Sequence, residues 1–218
     1  MSELAETEKK VGKAIKACFS ALAVPGELSK KVSSKMRLEA KLRSGADLFI
    51  ACAKVKRGRP PGAFALYWLF ALSGGFIYDT MKACGLSAHP NIQTPLIFSC
   101  TSHNLTSASH FDVAPAADLD MVAAAICKDV REQAVPLIEG FETAPERVLD
   151  YILGRGPGVV RNPFTMCLIL MHLAHRTDRL EEIIQVASIA QGFYDFKGPA
   201  EARAGIVEPL ARWFAARA

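Results

Sequence analysis

Asp118–Phe141 reads DLDMVAAAICKDVREQAVPLIEGF. Leu119, Val122, Ile126, Val130, Leu137, Ile138 and Phe141 recur three or four residues apart, which is the period of an α-helix. Lys128, Asp129, Arg131, Glu132 and Gln133 fall mostly between them, so the spacing predicts one apolar stripe and one wet face. Asp118 or Asp120 is placed to cap the start by accepting a bond from a free backbone N–H. Pro136 has no N–H to donate and predicts a kink near the preceding turn. We expect this long helix to be the element around which the rest packs. It also divides two differently patterned parts of the chain.

Upstream of it the period is mostly two. Leu38, Ala40 and Leu42 alternate with Glu39, Lys41 and Arg43, the signature of a half-buried strand. Ser44-Gly45 signals a turn, and Asp47–Lys56 reads as a second strand. Arg57–Gly62 is a loop. Phe64–Leu72 (FALYWLFAL) is apolar enough for a central strand buried on both faces. Ser73-Gly74-Gly75 is expected to break it. Phe76–Cys84 suits a short helix stopped at Gly85. Asn91–Cys100 reads as a further strand, with Pro95 favouring an edge, and a brief strand is expected around Ser109–Val113. At the very front, Leu4, Val11, Ile15, Phe19 and Leu22 mark an amphipathic helix over 3–23, which Pro25-Gly26 ends. Residues 27–35 (ELSKKVSSK) are polar and read as a linker.

Downstream the pattern is helical. Pro145–Leu153 carries Val148, Leu149 and Ile152 on one side. Phe164–Ala174 (FTMCLILMHLA) is apolar all round, and Leu180–Gln191 is amphipathic. Glu201–Ala216 ends in Leu210, Trp213 and Phe214. Between the first two lies the glycine-rich run Gly154–Pro163, which lacks the GK[ST] of a phosphate loop and the GxGxxG of a dinucleotide fold. The order of elements predicts one α+β domain over 1–218. It would comprise an N-terminal helix (1–26), an antiparallel meander of four to five strands (36–113) and a helical region (116–218). Short connections between strands favour hairpins over crossovers.

Composition narrows the class. Half the 218 residues are hydrophobic and 22% are charged, a globular balance that argues against long disorder. Six cysteines (Cys18, Cys52, Cys84, Cys100, Cys127, Cys167) are scattered without a CxxC pair, as expected of small core residues in a reducing compartment. The start has no apolar run of the signal-peptide type, so a cytoplasmic location is expected. Gly62–Tyr78 is uncharged for 17 residues, but the glycine interruption and the alternating neighbours favour core strand over membrane span. Residues 1–59 hold 14 Lys and Arg against 6 Asp and Glu, a balance of +8 within a chain of net +4. Such a basic front fits an acidic partner or, more plainly, a solvated face.

Several clusters carry side chains capable of chemistry. His172 and His175, three apart on a helix, would sketch a metal site with Glu181 or Glu182, although the pattern is not HExxH. A histidine pair settled at a helix end is the plainer expectation. Lys56-Arg57-Gly58-Arg59-Pro60 contains RGRP, which resembles the core of an AT-hook that lies extended in a narrow minor groove. A turn between strands explains the same residues, and no nucleic-acid or membrane partner is expected. No nucleophile elbow accompanies the serines and histidines of SHNLTSASH (102–110). No catalytic, cofactor-binding or metal-binding residue is assigned.

The amphipathic first helix, the strand meander, the long helix with its late proline (EQAVPLIEGF), the short helix ERVLDYIL at 146–153 and the helical hairpin after it resemble a group of small bacterial cytoplasmic proteins. That group includes the immunity proteins of interbacterial competition systems. The similarity runs over residues 38–191 and rests on pattern. It implies a non-enzymatic protein that binds and neutralises one cognate toxin or effector, without a cofactor. Immunity proteins against nucleases are often acidic, and the basic front departs from that habit. Exposed loops on a rigid scaffold commonly carry recognition, so Lys56, Arg57 and Arg59, with His103, Asn104 and His110, are the expected contact residues. An adaptor or chaperone for a secreted effector, and a small metal-dependent hydrolase built on His172 and His175, are the alternative expectations.

Overall fold

The computed structural model describes residues 3–86, 96–105, 110–114, 117–155, 160 and 162–217. The protein is α+β: helix α1 (Glu3–Ala21), an antiparallel meander of strands, then helices, with the long α4 (Leu119–Thr143) leading them. Strands β1 (Glu27–Ser33), β2 (Arg37–Leu42), β3 (Ala46–Val55), β4 (Phe64–Gly74) and β5 (Leu96–Thr101) lie in chain order across one sheet. The short β6 (Phe111–Val113) pairs antiparallel with the start of β4, Val113 opposite Phe64. The chain divides into two compact units. One comprises 1–43, 47–72 and 99–138, and the other 44–46, 73–98 and 139–218.

The first unit is organised by its sheet. In β2 every second residue is buried, and Leu38 faces Ile50 and Ala40 faces Leu48 across the β2–β3 ladder. On the other face Arg37 lies over the Phe49 ring at 4.3 Å, and Lys41 pairs with Asp47 at 3.0 Å. α1 packs across β1 and β2, with Val11, Ile15, Phe19 and the following Leu22 buried. Trp68 of β4 is completely buried, and its Nε1 donates to the Asp129 carboxylate at 2.6 Å. Asp129 therefore leaves the wet face expected for it. Burial pushes its carboxyl up, while the indole N–H pulls the other way. Asp118 caps α4 as expected, its Oδ1 accepting from the N–H groups of Asp120 and Met121 at 3.1 Å each.

One expectation here is corrected. Residues 27–33 are a strand, not a linker. They pair with β2, from Glu27 opposite Leu42 to Ser33 opposite Arg37, with one irregularity between Glu27 and Ser29. β1 begins the strand order, where the ladder supplies the order and a polar, lysine-bearing face suits solvent. Composition alone therefore hides it.

The second unit is organised by a helix. α6 (Pro163–Leu173) is buried continuously from Pro163 to Met171. α2 (Gly75–Ala83), α5 (Pro145–Arg155), α7 (Leu180–Ile189) and α9 (Glu208–Ala215) each border it or its end. In this unit α6, not α4, is the element around which the others pack. Fully burying a Leu, Ile, Phe or Met side chain contributes about 1.5–3 kcal/mol, so the nine buried residues of α6 are a large source of cohesion. Its N-terminal N–H groups are not left bare: Phe164 and Thr165 donate to the Asp195 carboxylate at 3.0 and 2.9 Å. The expected glycine break at 73–75 is a corner instead, with β4 passing directly into α2. A Cβ on Gly75 would lie 2.7 Å from the Ala46 nitrogen, and its φ is +71°.

The final helical stretch is continuous in sequence but not in pitch. α8 (Pro199–Ala202) runs into a π-helical turn (Arg203–Val207) and then α9. Pro209, which cannot donate to the carbonyl four residues back, accounts for the widened turn. No helix among the described residues is long and apolar enough to cross a membrane.

Candidate functional site

In the first unit the β3–β4 connection is a pair of tight turns. Arg59 N–H donates to the Lys56 carbonyl at 3.2 Å, and Ala63 N–H to the Pro60 carbonyl at 3.0 Å. Each turn has glycine at its third position, Gly58 at φ +76° and Gly62 at +80°. Pro61 precedes Gly62, the sequence that a type II turn favours. The RGR segment is therefore a turn, not the extended strand that an AT-hook requires.

Ion pairs hold both flanks of this loop. Lys54 and Lys56 meet Glu8 of α1 at 2.5 and 3.1 Å, and the Lys54 ammonium leads in holding the Glu8 carboxyl below its ordinary range. Arg59 meets Asp112 of β6 at 2.7 Å. Arg57 lies exposed at the tip, and no carboxylate among the described residues pairs with it. His110, just before β6, stands edge-on to Tyr67 with ring centres 6.2 Å apart. The fold thus gathers Lys56, Arg57, Arg59 and His110 around one loop and its neighbouring strand. His103 and Asn104 fall in α3 (Ser102–Leu105), and their side chains lie outside the described part. The sequence reading missed Glu8 and Asp112. Glu8 was legible only as an acid off the apolar stripe of α1.

In the second unit the histidines expected at a helix end are found there. His175 N–H donates to the His172 carbonyl at 3.1 Å and Arg176 N–H to the Met171 carbonyl at 2.9 Å. This is a Schellman closure of α6, with His175 in the left-handed region at φ +54°. His172 stacks on Phe214 at 4.5 Å with planes 14° apart, and burial lowers its pKa from the ordinary 6.5. The acids expected beside them are engaged elsewhere. Glu181 pairs with Arg203 at 2.5 Å, and Glu182 with Arg179 at 2.7 Å. Among the described residues no group of three His, Cys, Asp or Glu is placed to hold a metal ion.

What the two histidines do line is a half-open cavity of about 590 Å³, with Phe76, Leu173, Trp213, Phe214 and Arg217. Trp213 and Phe214, which close the last helix, are only half-buried. The spacing Trp213…Arg217, one helical turn, was the legible sign of a cation over a ring. All six cysteines are free; Cys52, Cys100, Cys127 and Cys167 are core residues as expected, while Cys18 and Cys84 are only half-buried. Burial pushes the Cys52 thiol up to about 12. Comparison with protein-family models, curated proteins and solved structures returned no significant match.

Proposed function

We propose that this chain is a non-enzymatic binding protein that acts in the cytoplasm. In this reading it neutralises one cognate bacterial toxin by occupying it through a protein–protein interface. The observation that carries the reading is the Lys56–Ala63 double turn, fixed by ion pairs on both flanks with the Arg57 guanidinium left at its tip. A loop fixed in advance loses little freedom on binding, so more of its contact energy is available as affinity. Arginine is enriched among the residues that dominate such interfaces. A cationic tip calls for an acidic face on the partner. The overall order of elements, which resembles that of immunity proteins, supplies the finer part of the proposal.

The loop makes the reading testable at single residues. Arg57→Glu should weaken binding to the partner that co-purifies from the native host by tenfold or more, about 1.4 kcal/mol. Arg57 makes no ion pair among the described residues, so the thermal midpoint should stay put. Unchanged affinity by calorimetry would remove the loop from the interface.

A further inference from the structure

The cavity closed by α2, the end of α6 and α9 has a one-sided chemistry. Its walls are rings and small apolar groups. Phe76 stands against Trp213 at 5.5 Å, Trp213 against Phe214 at 5.0 Å, and Leu173, Ala211 and Ala215 add to the apolar wall. Every polar side chain among its described lining residues can donate a hydrogen bond: the imidazoles of His172 and His175, the Thr177 hydroxyl, the Trp213 indole and the Arg217 guanidinium. No carboxylate of the described residues lines it. Arg217 lies over the Trp213 ring at 4.1 Å and donates to the Trp213 carbonyl at 3.3 Å. No carboxylate among the described residues pairs with it. Phe76, though large and apolar, is 40% exposed at the mouth. The volume, about 590 Å³, falls in the range of small-molecule sites.

We propose that this cavity binds a planar aromatic carboxylate, its ring against Phe76, Trp213 and Phe214 and its carboxylate at Arg217. Rings on the walls favour a flat ligand, since offset and edge-on aromatic contacts add to simple burial. A lone guanidinium among donors favours a carboxylate, which accepts two parallel N–H bonds from it. His172, held on Phe214, forms part of the wall, and His175 is fixed at the rim by its role in closing α6. The site is independent of the toxin-binding reading, because every lining residue lies in the second unit and none in the β3–β4 loop.

The test uses the full chain and three probes: 2-naphthoate, its uncharged counterpart 2-naphthamide, and octanoate. Calorimetry should give saturable binding of 2-naphthoate in roughly the 0.1 mM range, as ligand efficiency allows for a molecule of this size. 2-Naphthamide should bind about tenfold more weakly, the worth of one charged hydrogen-bonded contact, and octanoate, which keeps the carboxylate but lacks the ring, about fivefold more weakly, the worth of the lost aromatic contacts. Arg217→Met, which keeps the stem over Trp213, should abolish the preference for naphthoate over naphthamide and leave naphthamide binding unchanged. Naphthoate should also change the fluorescence of Trp213, and Trp213→Phe should remove that response while calorimetric binding persists. Far-UV circular dichroism should match wild type for both variants. No saturation of naphthoate by about 2 mM, well above that range, equal binding of naphthamide, tighter binding of octanoate, or a preference that survives Arg217→Met would each overturn the proposal.

Discussion

The two sites, one in each unit, treat the same residue types in opposite ways. Around the β3–β4 turn, cations are set against carboxylates: Lys54 and Lys56 on Glu8, Arg59 on Asp112. At the end of α6, His172 and Arg217 are set against rings, Phe214 and Trp213. The difference follows from the scaffold. A strand connection runs over the surface, where charge can be paired and hydrated. The end of a helix buried on all sides brings its last side chains against the apolar face of α9. The basic residues of the β3–β4 turn therefore serve as a surface handle, and those where α6 ends against α9 as part of a cavity wall. Each unit also holds one of the two tryptophans, Trp68 in the first and Trp213 in the second, so fluorescence can follow them separately.

The comparison can be pressed first at the two cores. Trp68→Ala removes a wholly buried ring and leaves Asp129 without its donor. It should cost about 3–5 kcal/mol, seen as a lower urea midpoint. A loss under about 1 kcal/mol, far below the usual cost of a large-to-small core change, would contradict the sheet-centred account. Asp195→Ala is the counterpart in the helical unit. It strips the acceptor from two N–H groups at the start of α6 and should cost about 1–3 kcal/mol. Equal stability of variant and wild type would mean that water replaces the carboxylate there.

The smaller effects concern charge. Burial lowers the folded-state pKa of His172 below the ordinary 6.5. The unfolded chain then takes up the proton first, and stability should fall as pH drops below about 6.5, levelling off below the folded value. His172→Gln should flatten that slope in pH-resolved denaturation, and an unaltered slope would place its origin elsewhere. Glu8 has the same sign in a more acidic window. Its lowered folded-state pKa gives stability that is present above about 4.5 and lost as pH falls through the folded value. The pair is partly exposed, so Glu8→Gln should cost only about 0.5 kcal/mol at pH 7. A cost above about 2 kcal/mol would show that this pair is far better shielded than its exposure implies.

Most of the architecture is legible in the sequence where burial leaves a period. β2 alternates, β4 and α6 are unbroken apolar runs, and α4 shows a stripe of seven apolar residues. β1 is illegible for a physical reason: its order comes from pairing with β2, and a polar strand at the start of the sheet leaves no apolar pattern. The corner at Gly74-Gly75 is half legible. Glycine announces positive φ, but only the close approach to Ala46 shows that strand passes into helix without a loop. Of the site, the positions of Lys56, Arg57 and Arg59 in a turn could be read from Gly and Pro. Their partners Glu8 and Asp112 could not, because each pair joins residues about fifty apart in the chain. His172 and His175 drew attention as a metal pair. The acids near them in sequence are held by Arg179 and Arg203, a choice made by the packing of the helices around α6.

The central claim is that this chain protects a cell by binding one toxin, and a growth assay tests it most directly. The gene of the protein that co-purifies stoichiometrically from the native host is expressed alone, with this chain, and with its Arg57→Glu variant. The account predicts arrested growth with the partner alone, full growth with the wild-type chain and lost protection with the variant. Normal growth with the partner alone, or arrest that the wild-type chain does not relieve, would contradict it.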